Sequence, residues 1–206
     1  MLGRLHVITD HRPGRDPATV VPAALDGGAD VIQVRVKGWT DRELLDLASR
    51  VVAWCAPYGA TCLVNDRVDV ALAVGAAGVH LGADDLPVAT ARRLLGPDAV
   101  VGGTARDPVA ARAAVAAGAS YLGVGPCYAT ATKAGLPAPI GLNGLAAVTA
   151  AVDVPVIAIS GIRVERVAEL LGAGAHGVAV VDAVSGADDP REAAARFAAA
   201  LRDASC

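Results

Sequence analysis

A chain of 206 residues, 54% of them hydrophobic, carries apolar material for one sizeable core, and its length points to a single domain over residues 1–206. Its net charge of −3 without a basic run excludes general nucleic-acid binding and a polybasic membrane surface, while leaving room for a local anion site. No run of about 18 apolar residues suggests a membrane span, and charged residues within the first ten positions are expected to exclude a signal peptide.

In chain order, the first strand is expected at Leu5–Thr9 and the second at Val31–Val36, entered from Gly28 at the end of a helix. The second runs out as Gln33-Val34-Arg35-Val36-Lys37. Alternation places Gln33, Arg35 and Lys37 on one face, which in a barrel with its valines turned to the helices is the interior. A buried run of amide, guanidinium and ammonium is costly unless an anion meets it. Two readings follow: a phosphate or diphosphate site, or an internal ladder of salt bridges with neighbouring acids. Residue usage favours the first. The chain has 18 basic residues, of which only Lys37 and Lys133 are lysine, so each lysine marks a need for a compact charge.

A helix is expected at Asp41–Ala56, capped by Thr40. Strand three, Thr61–Asn65, ends at Asn65-Asp66, and strand four, Gly78–Leu81, leads into Gly82-Ala83-Asp84-Asp85. Carboxylates there either neutralise the cations or hold Mg²⁺ against phosphate oxygens. Asp84 or Asp85 is alternatively a cap for a helix near Pro87.

Strand five, Ala99–Gly102, precedes a helix at Pro108–Ala117 capped by Asp107. Strand six, Tyr121–Gly125, opens into a long loop to Pro137, in which Thr130, Thr132 and Lys133 form a candidate phosphate lid. Strand seven, Val154–Ile159, is followed by Ser160-Gly161-Ile162 and a helix at Arg163–Leu171, where glycine lets amides approach an anion at the helix N-terminus. Strand eight, Gly177–Val181, leads through Asp182 to a helix at Pro190–Arg202 capped by Asp189.

Gly28, Gly75, Gly118 and Gly174 each stand where a helix ends just before a strand. Eight alternating units in so short a chain predict an α/β fold of the closed (β/α)8 TIM-barrel type, with function at the C-terminal ends of the strands. His6 and His80 fall inside strands and are expected in the barrel interior. The four cysteines, Cys55, Cys62, Cys127 and Cys206, lack CxxC spacing and read as free thiols in a reducing cytoplasm. No Ser/His/Asp or Cys/His constellation indicates covalent catalysis.

Taken in order, Gln33-Val34-Arg35-Val36-Lys37, Asn65-Asp66-Arg67-Val68-Asp69, Gly78-Val79-His80-Leu81-Gly82 with Asp84-Asp85-Leu86-Pro87, Gly125-Pro126-Cys127-Tyr128 with Thr130-Ala131-Thr132-Lys133, and Ile159-Ser160-Gly161-Ile162 resemble the thiamine-phosphate synthase family and its relatives, the thiazole tautomerases. The resemblance implies a Mg²⁺-dependent transferase that joins hydroxymethylpyrimidine diphosphate to hydroxyethylthiazole phosphate, or its carboxylate. It implies that Arg35, Lys37 and Lys133 grip the diphosphate and carry catalysis, with Gln33 and Asn65 beside them. Asp66 and Asp85 would hold Mg²⁺. Thr104, Thr130, Thr132, Gly161 and Val181 would line the site, including the thiazole phosphate pocket. Its partners would be small phosphorylated substrates, with no nucleic acid or membrane; a homo-oligomer is left open. The tautomerase alternative carries a histidine where this chain has Pro126, and a non-catalytic binder of thiazole phosphate is the other alternative. Ala83, Arg106, Ala129, Ser160 and Asp182 depart from the family pattern. Asp182 stands where a small or hydroxyl residue is common, so its carboxylate either faces the phosphate or turns outward.

Overall fold

The computed structural model describes residues 2–130, 135 and 137–204. Eight short strands alternate with helices: β1 (Leu5–Ile8), α1 (Pro17–Asp26), β2 (Val31–Val34), α2 (Asp41–Cys55), β3 (Thr61–Asn65), α3 (Val68–Val74), β4 (Gly78–Leu81), α4 (Val88–Leu95), β5 (Val100–Ala105), α5 (Pro108–Ala116), β6 (Tyr121–Val124), α6 (Gly141–Thr149), β7 (Val156–Ile159), α7 (Val167–Gly172), β8 (Gly177–Val180), α8 (Asp182–Ser185) and α9 (Pro190–Asp203). All pairings are parallel, and β8 pairs with β1 to close the barrel. This is the (β/α)8 barrel that alternating units demand, because a parallel pair needs a crossover and a right-handed helix supplies it.

Two-residue periodicity sorts the strands into two faces. Outward, Leu5, Val7, Ile32, Val34, Val64, Val79, Leu122 and Val178 join one buried cluster with the helices. Inward, Ile8, Val31, Leu63, Tyr121, Ile157 and Ala179 form a second, smaller cluster inside the barrel. Gln33 and His6, on inward positions of β2 and β1, are buried as well. The expected caps are present: Thr40 closes a capping box with Glu43, Asp107 accepts from Val109 and Ala110, and Asp189 accepts from Glu192. Gly28, Gly75, Gly118 and Gly174 all take positive φ, the backbone that sends a helix back into a strand.

Several boundaries differ from expectation, most by one residue; β7 starts at Val156 rather than Val154. β2 ends at Val34 rather than Val36, because Arg35 is held by Thr9 instead of a continuing ladder: the Thr9 hydroxyl donates to Arg35 O (3.0 Å) and accepts from Arg35 N (2.8 Å). β5 extends to Ala105. The single helix expected from Arg163 is a 3-10 turn, Val164–Arg166, followed by α7. No helix of the described residues is long and apolar enough to cross a membrane. Cys55, Cys62 and Cys127 are buried free thiols, while Cys206 lies outside the described residues.

Candidate active site

The C-terminal ends of β2, β3 and β4 bring together most of the charged candidates. Gln33 is 3% exposed and its Nε2 donates to Asn65 Oδ1 at 3.0 Å, so the two amides cross the gap between β2 and β3. Beyond them the chain of β2 rises out of the barrel. Arg35 is half-buried, and Lys37 is exposed over 58% of its side chain, with its ammonium on the Asp66 carboxylate. The buried run expected at Gln33, Arg35 and Lys37 is thus a gradient: only Gln33 lies in the core, since a cation without a ligand stays in water.

Asp66 is aimed by its backbone. Arg67 N bonds to Asn65 O at 2.8 Å across it, a three-residue turn whose centre takes φ of +65°, and Asp66 N is held by His80 O at 2.9 Å. Aspartate tolerates such a φ better than most side chains, yet the turn is of the rare, strained kind. The Asp66 and Asp85 carboxyls lie close enough to act on each other's protonation. That proximity, with burial behind it, raises the Asp85 pKa. Burial pushes Asp66 upward too, but the Asp85 carboxyl and the Lys37 ammonium outweigh it and hold Asp66 below the usual carboxylate range. Two carboxyls this close beside a cation share a proton when nothing else neutralises them. Neither Asp84 nor Asp85 caps the next helix, which starts after Pro87 with no side-chain cap; Asp85 instead accepts from Gly82 N at 2.7 Å. Among the described residues no group of three or more His, Cys, Asp and Glu side chains converges on one point. Asp66 and Asp85 therefore make a two-carboxylate donor set, which suits a Mg²⁺ ion that completes its shell with water and substrate phosphate.

Next to β4, Thr104 stands exposed near the end of β5, with its hydroxyl donating to Leu81 O at 3.1 Å and lying 3.2 Å from His80 Nε2. After β6 the chain is pinned along the β7 exit, with Cys127 N on Ile159 O at 2.9 Å and Tyr128 N on Ser160 O at 3.1 Å. Arg166 stacks over the Tyr128 ring at 3.8 Å and donates to Gly161 O, while the Tyr128 hydroxyl donates to Glu169. Gly161, at φ +68°, is required there: a Cβ would sit 2.6 Å from Ala129 O. The expected helix behind Gly161 opens as a 3-10 turn, Val164–Arg166, that runs directly into α7. Gly161 thus serves the close approach of two loops, and Thr130 lies half-buried at the end of the pinned segment. Pro126, Tyr128, Thr130 and Pro139 border a cavity of about 210 Å³. Thr132 and Lys133 lie outside the described residues.

At the seam of β8 and β1 the structure answers the question posed by Asp182. Its carboxylate pairs with Arg15 and Arg12, whose guanidiniums also bind Asp10. Despite burial, hydrogen bonds from Arg12 and Arg15 hold Asp10 well below the usual carboxylate range. Asp182 is thereby neutralised and tied to the segment after β1, while Val181 is half-buried against the inner cluster. Beside this cluster a concavity of about 530 Å³ is lined by His11, Arg12, Arg15, Trp39 and Asp188 among others. It adjoins, and does not include, the Lys37–Asp66–Asp85 group.

The sequence profile of the family described as thiamine monophosphate synthase matches residues 5–184. The chain belongs to that family. A thiamine-phosphate synthase of Salinispora arenicola is 61% identical over 97% of this chain and 98% of its own length, and one of Haloquadratum walsbyi is 46% identical over 95% and 89%. Among solved structures, a thiamine phosphate pyrophosphorylase from Pyrococcus furiosus is 37% identical, with a TM-score of 0.90 over 98% of this chain and 96% of that one. A 3-hexulose-6-phosphate synthase, at 22% identity and a TM-score of 0.70 over 96% and 99%, shares the fold alone. Within the family frame, the sequence reading missed two groups. Arg12 and Arg15 were lost among 18 basic residues, although the run His11-Arg12-Pro13-Gly14-Arg15 directly after strand one was a usable signal. Tyr121 was named only as the start of strand six, although Gly102 and Gly123 beside it sit at inward strand positions where a barrel normally places bulk.

Proposed function

We propose that this chain condenses hydroxymethylpyrimidine diphosphate with hydroxyethylthiazole phosphate, or its carboxylate, to give thiamine phosphate and pyrophosphate. The observation that carries the proposal is the Lys37–Asp66–Asp85 group at the exits of three adjacent strands, in a chain of this family. In the reaction the bond from the pyrimidine methylene carbon to the diphosphate oxygen breaks with its electron pair leaving on pyrophosphate, and the thiazole nitrogen supplies the pair for the new C–N bond. No covalent enzyme intermediate is needed. The departing group carries the charge, so the site must meet it with positive charge fixed in advance.

Lys37 and Arg35 supply that charge from the β2 exit, with Lys133 from the loop after β6. Asp66 and Asp85 are the residues that would hold Mg²⁺, which when bound neutralises diphosphate oxygens and eases their departure. Lys37 is paired with Asp66. The Lys37–Asp66 pair keeps a cation on hand at the β2 exit without burying it. Gln33 and Asn65 give the pocket beneath a fixed pattern of amide donors and acceptors. Thr130 and Gly161, with Thr104 and Val181 across the mouth, would line the remainder, including the thiazole phosphate pocket. Asp182 does not oppose that phosphate, since two guanidiniums already neutralise it. The tautomerase alternative asks for a histidine where Pro126 stands.

Pyrophosphate release is the direct test. Release that requires both substrates, in equal amount to thiamine phosphate, is expected; release from the pyrimidine diphosphate alone at the same rate would make the chain a diphosphatase instead.

A further inference from the structure

Two rings in the barrel have no part in the mechanism so far: Tyr121 on β6 and His80 on β4, which form a row with Thr104 on β5. The row is built, not incidental. Tyr121 is 2% exposed, and room for its ring exists because β5 carries Gly102, where a Cβ would overlap the Tyr121 ring. Room for the His80 ring exists because β6 carries Gly123, where a Cβ would lie 2.8 Å from His80 Cε1. Two glycines at inward strand positions thus give up packing to admit two rings that bond to each other.

The hydrogen-bond directions in this row are fixed by counting. A hydroxyl has one proton to give and two lone pairs to receive. Among the described residues, the buried Tyr121 Oη meets one polar partner, His80 Nδ1 at 2.9 Å. Thr104 Oγ1 lies 3.2 Å from His80 Nε2 and 3.1 Å from Leu81 O. If His80 carried its proton on Nδ1, the ring would donate to Tyr121, and the buried tyrosine proton would lose its acceptor. Thr104 would then have to turn its proton to Nε2 and abandon Leu81 O. With the proton on Nε2, every group is satisfied: Tyr121 donates to Nδ1, Nε2–H donates to Thr104, and Thr104 donates to Leu81 O.

We infer that Tyr121 and His80 are positioning residues that lock the exposed Thr104 hydroxyl as a hydrogen-bond acceptor, so that the mouth of the barrel selects a ligand presenting an N–H donor at that point. Thr104 has spent its proton and one lone pair inside the wall, and only the other lone pair remains for the ligand. The amino group of an aminopyrimidine is a donor of this kind, and an oxo group in the same place would meet lone pair with lone pair. The substrate side of the inference rests on the function proposed above, while the direction of the row does not.

Two measurements test it. With ¹⁵N-labelled histidine, the His80 signals, assigned by loss in His80→Gln, should show the proton on Nε2 in the intact protein and a mixture of both tautomers in Tyr121→Phe. A proton on Nδ1 in the intact protein overturns the inference, whether or not the chain makes thiamine phosphate. In turnover, Tyr121→Phe should raise KM for the pyrimidine diphosphate about 5- to 10-fold, the loss of one ordered neutral hydrogen bond, with kcat little changed. In a Thr104→Ala background the same substitution should change KM by less than about twofold, because the group it positions is gone. An equal effect in both backgrounds would mean that Tyr121 only fills space, and would also overturn the inference. Absence of product from every variant, with Nε2 protonated, would instead count against the proposed function alone.

Discussion

Lys37 stands at the edge of the proposed site. It ends an inward-facing row but stands in water, paired with Asp66, at the point where β2 has already stopped. Charge-assisted hydrogen bonds are worth roughly 1.5–3 kcal/mol, so Lys37→Ala is expected to lower kcat/KM about 10- to 100-fold, measured with the pyrimidine diphosphate as the varied substrate. Fold stability should barely move, because an exposed ion pair contributes little. Asp66 calls for a different substitution. At φ +65° an alanine would add backbone strain to the loss of charge, whereas Asp66→Asn keeps a residue that accepts this backbone and removes the charge alone. Alternation alone placed Gln33 inside correctly, but it carries no information on where a strand stops. Burial of Arg35 and Lys37 was therefore overstated by the sequence, and Thr9, which ends the ladder at Arg35, is a contact 26 residues away in the chain.

At the scale of elements, what sequence makes legible is local. The caps at Thr40, Asp107 and Asp189 act on amides two or three residues on, and all three are found where the sequence places them. Asp107→Ala should therefore cost about 1 kcal/mol of stability in denaturant unfolding and leave turnover intact, since α5 starts away from the charged group. What escapes is the join between elements distant in sequence. Arg12 and Arg15 reach Asp182 across the β1–β8 seam, and Arg166 reaches the Tyr128 ring from the loop after β7. Neither pairing leaves a periodic trace. Gly161 likewise answers a partner distant in sequence, Ala129, whose approach leaves no room for a Cβ.

The whole molecule adds a pH dependence that no single element shows. His6 and His80 lie in the barrel interior, where burial lowers their pKa values from 6.5 to about 3 and about 4. The unfolded chain takes up protons near 6.5 while the folded one refuses them, so stability is full above that pH and falls as acid is added through the window down to about 3. Each ring contributes a slope on the order of 1 kcal/mol per pH unit. Urea midpoints should drop steadily between pH 6.5 and 5, before ordinary carboxylates titrate; a flat profile would contradict neutral buried rings. The barrel itself was the most legible feature, since eight strand runs with four glycine-ended helices permit few other architectures. The chemistry at its mouth rests on groups from separate strands and is best tested as a unit. The most direct measurement combines purified protein, both substrates and Mg²⁺, with thiamine phosphate read by fluorescence after oxidation. Product that vanishes with EDTA and returns with added Mg²⁺ is the predicted result. Well-folded protein that yields no thiamine phosphate, or yields it equally in EDTA, would contradict the account.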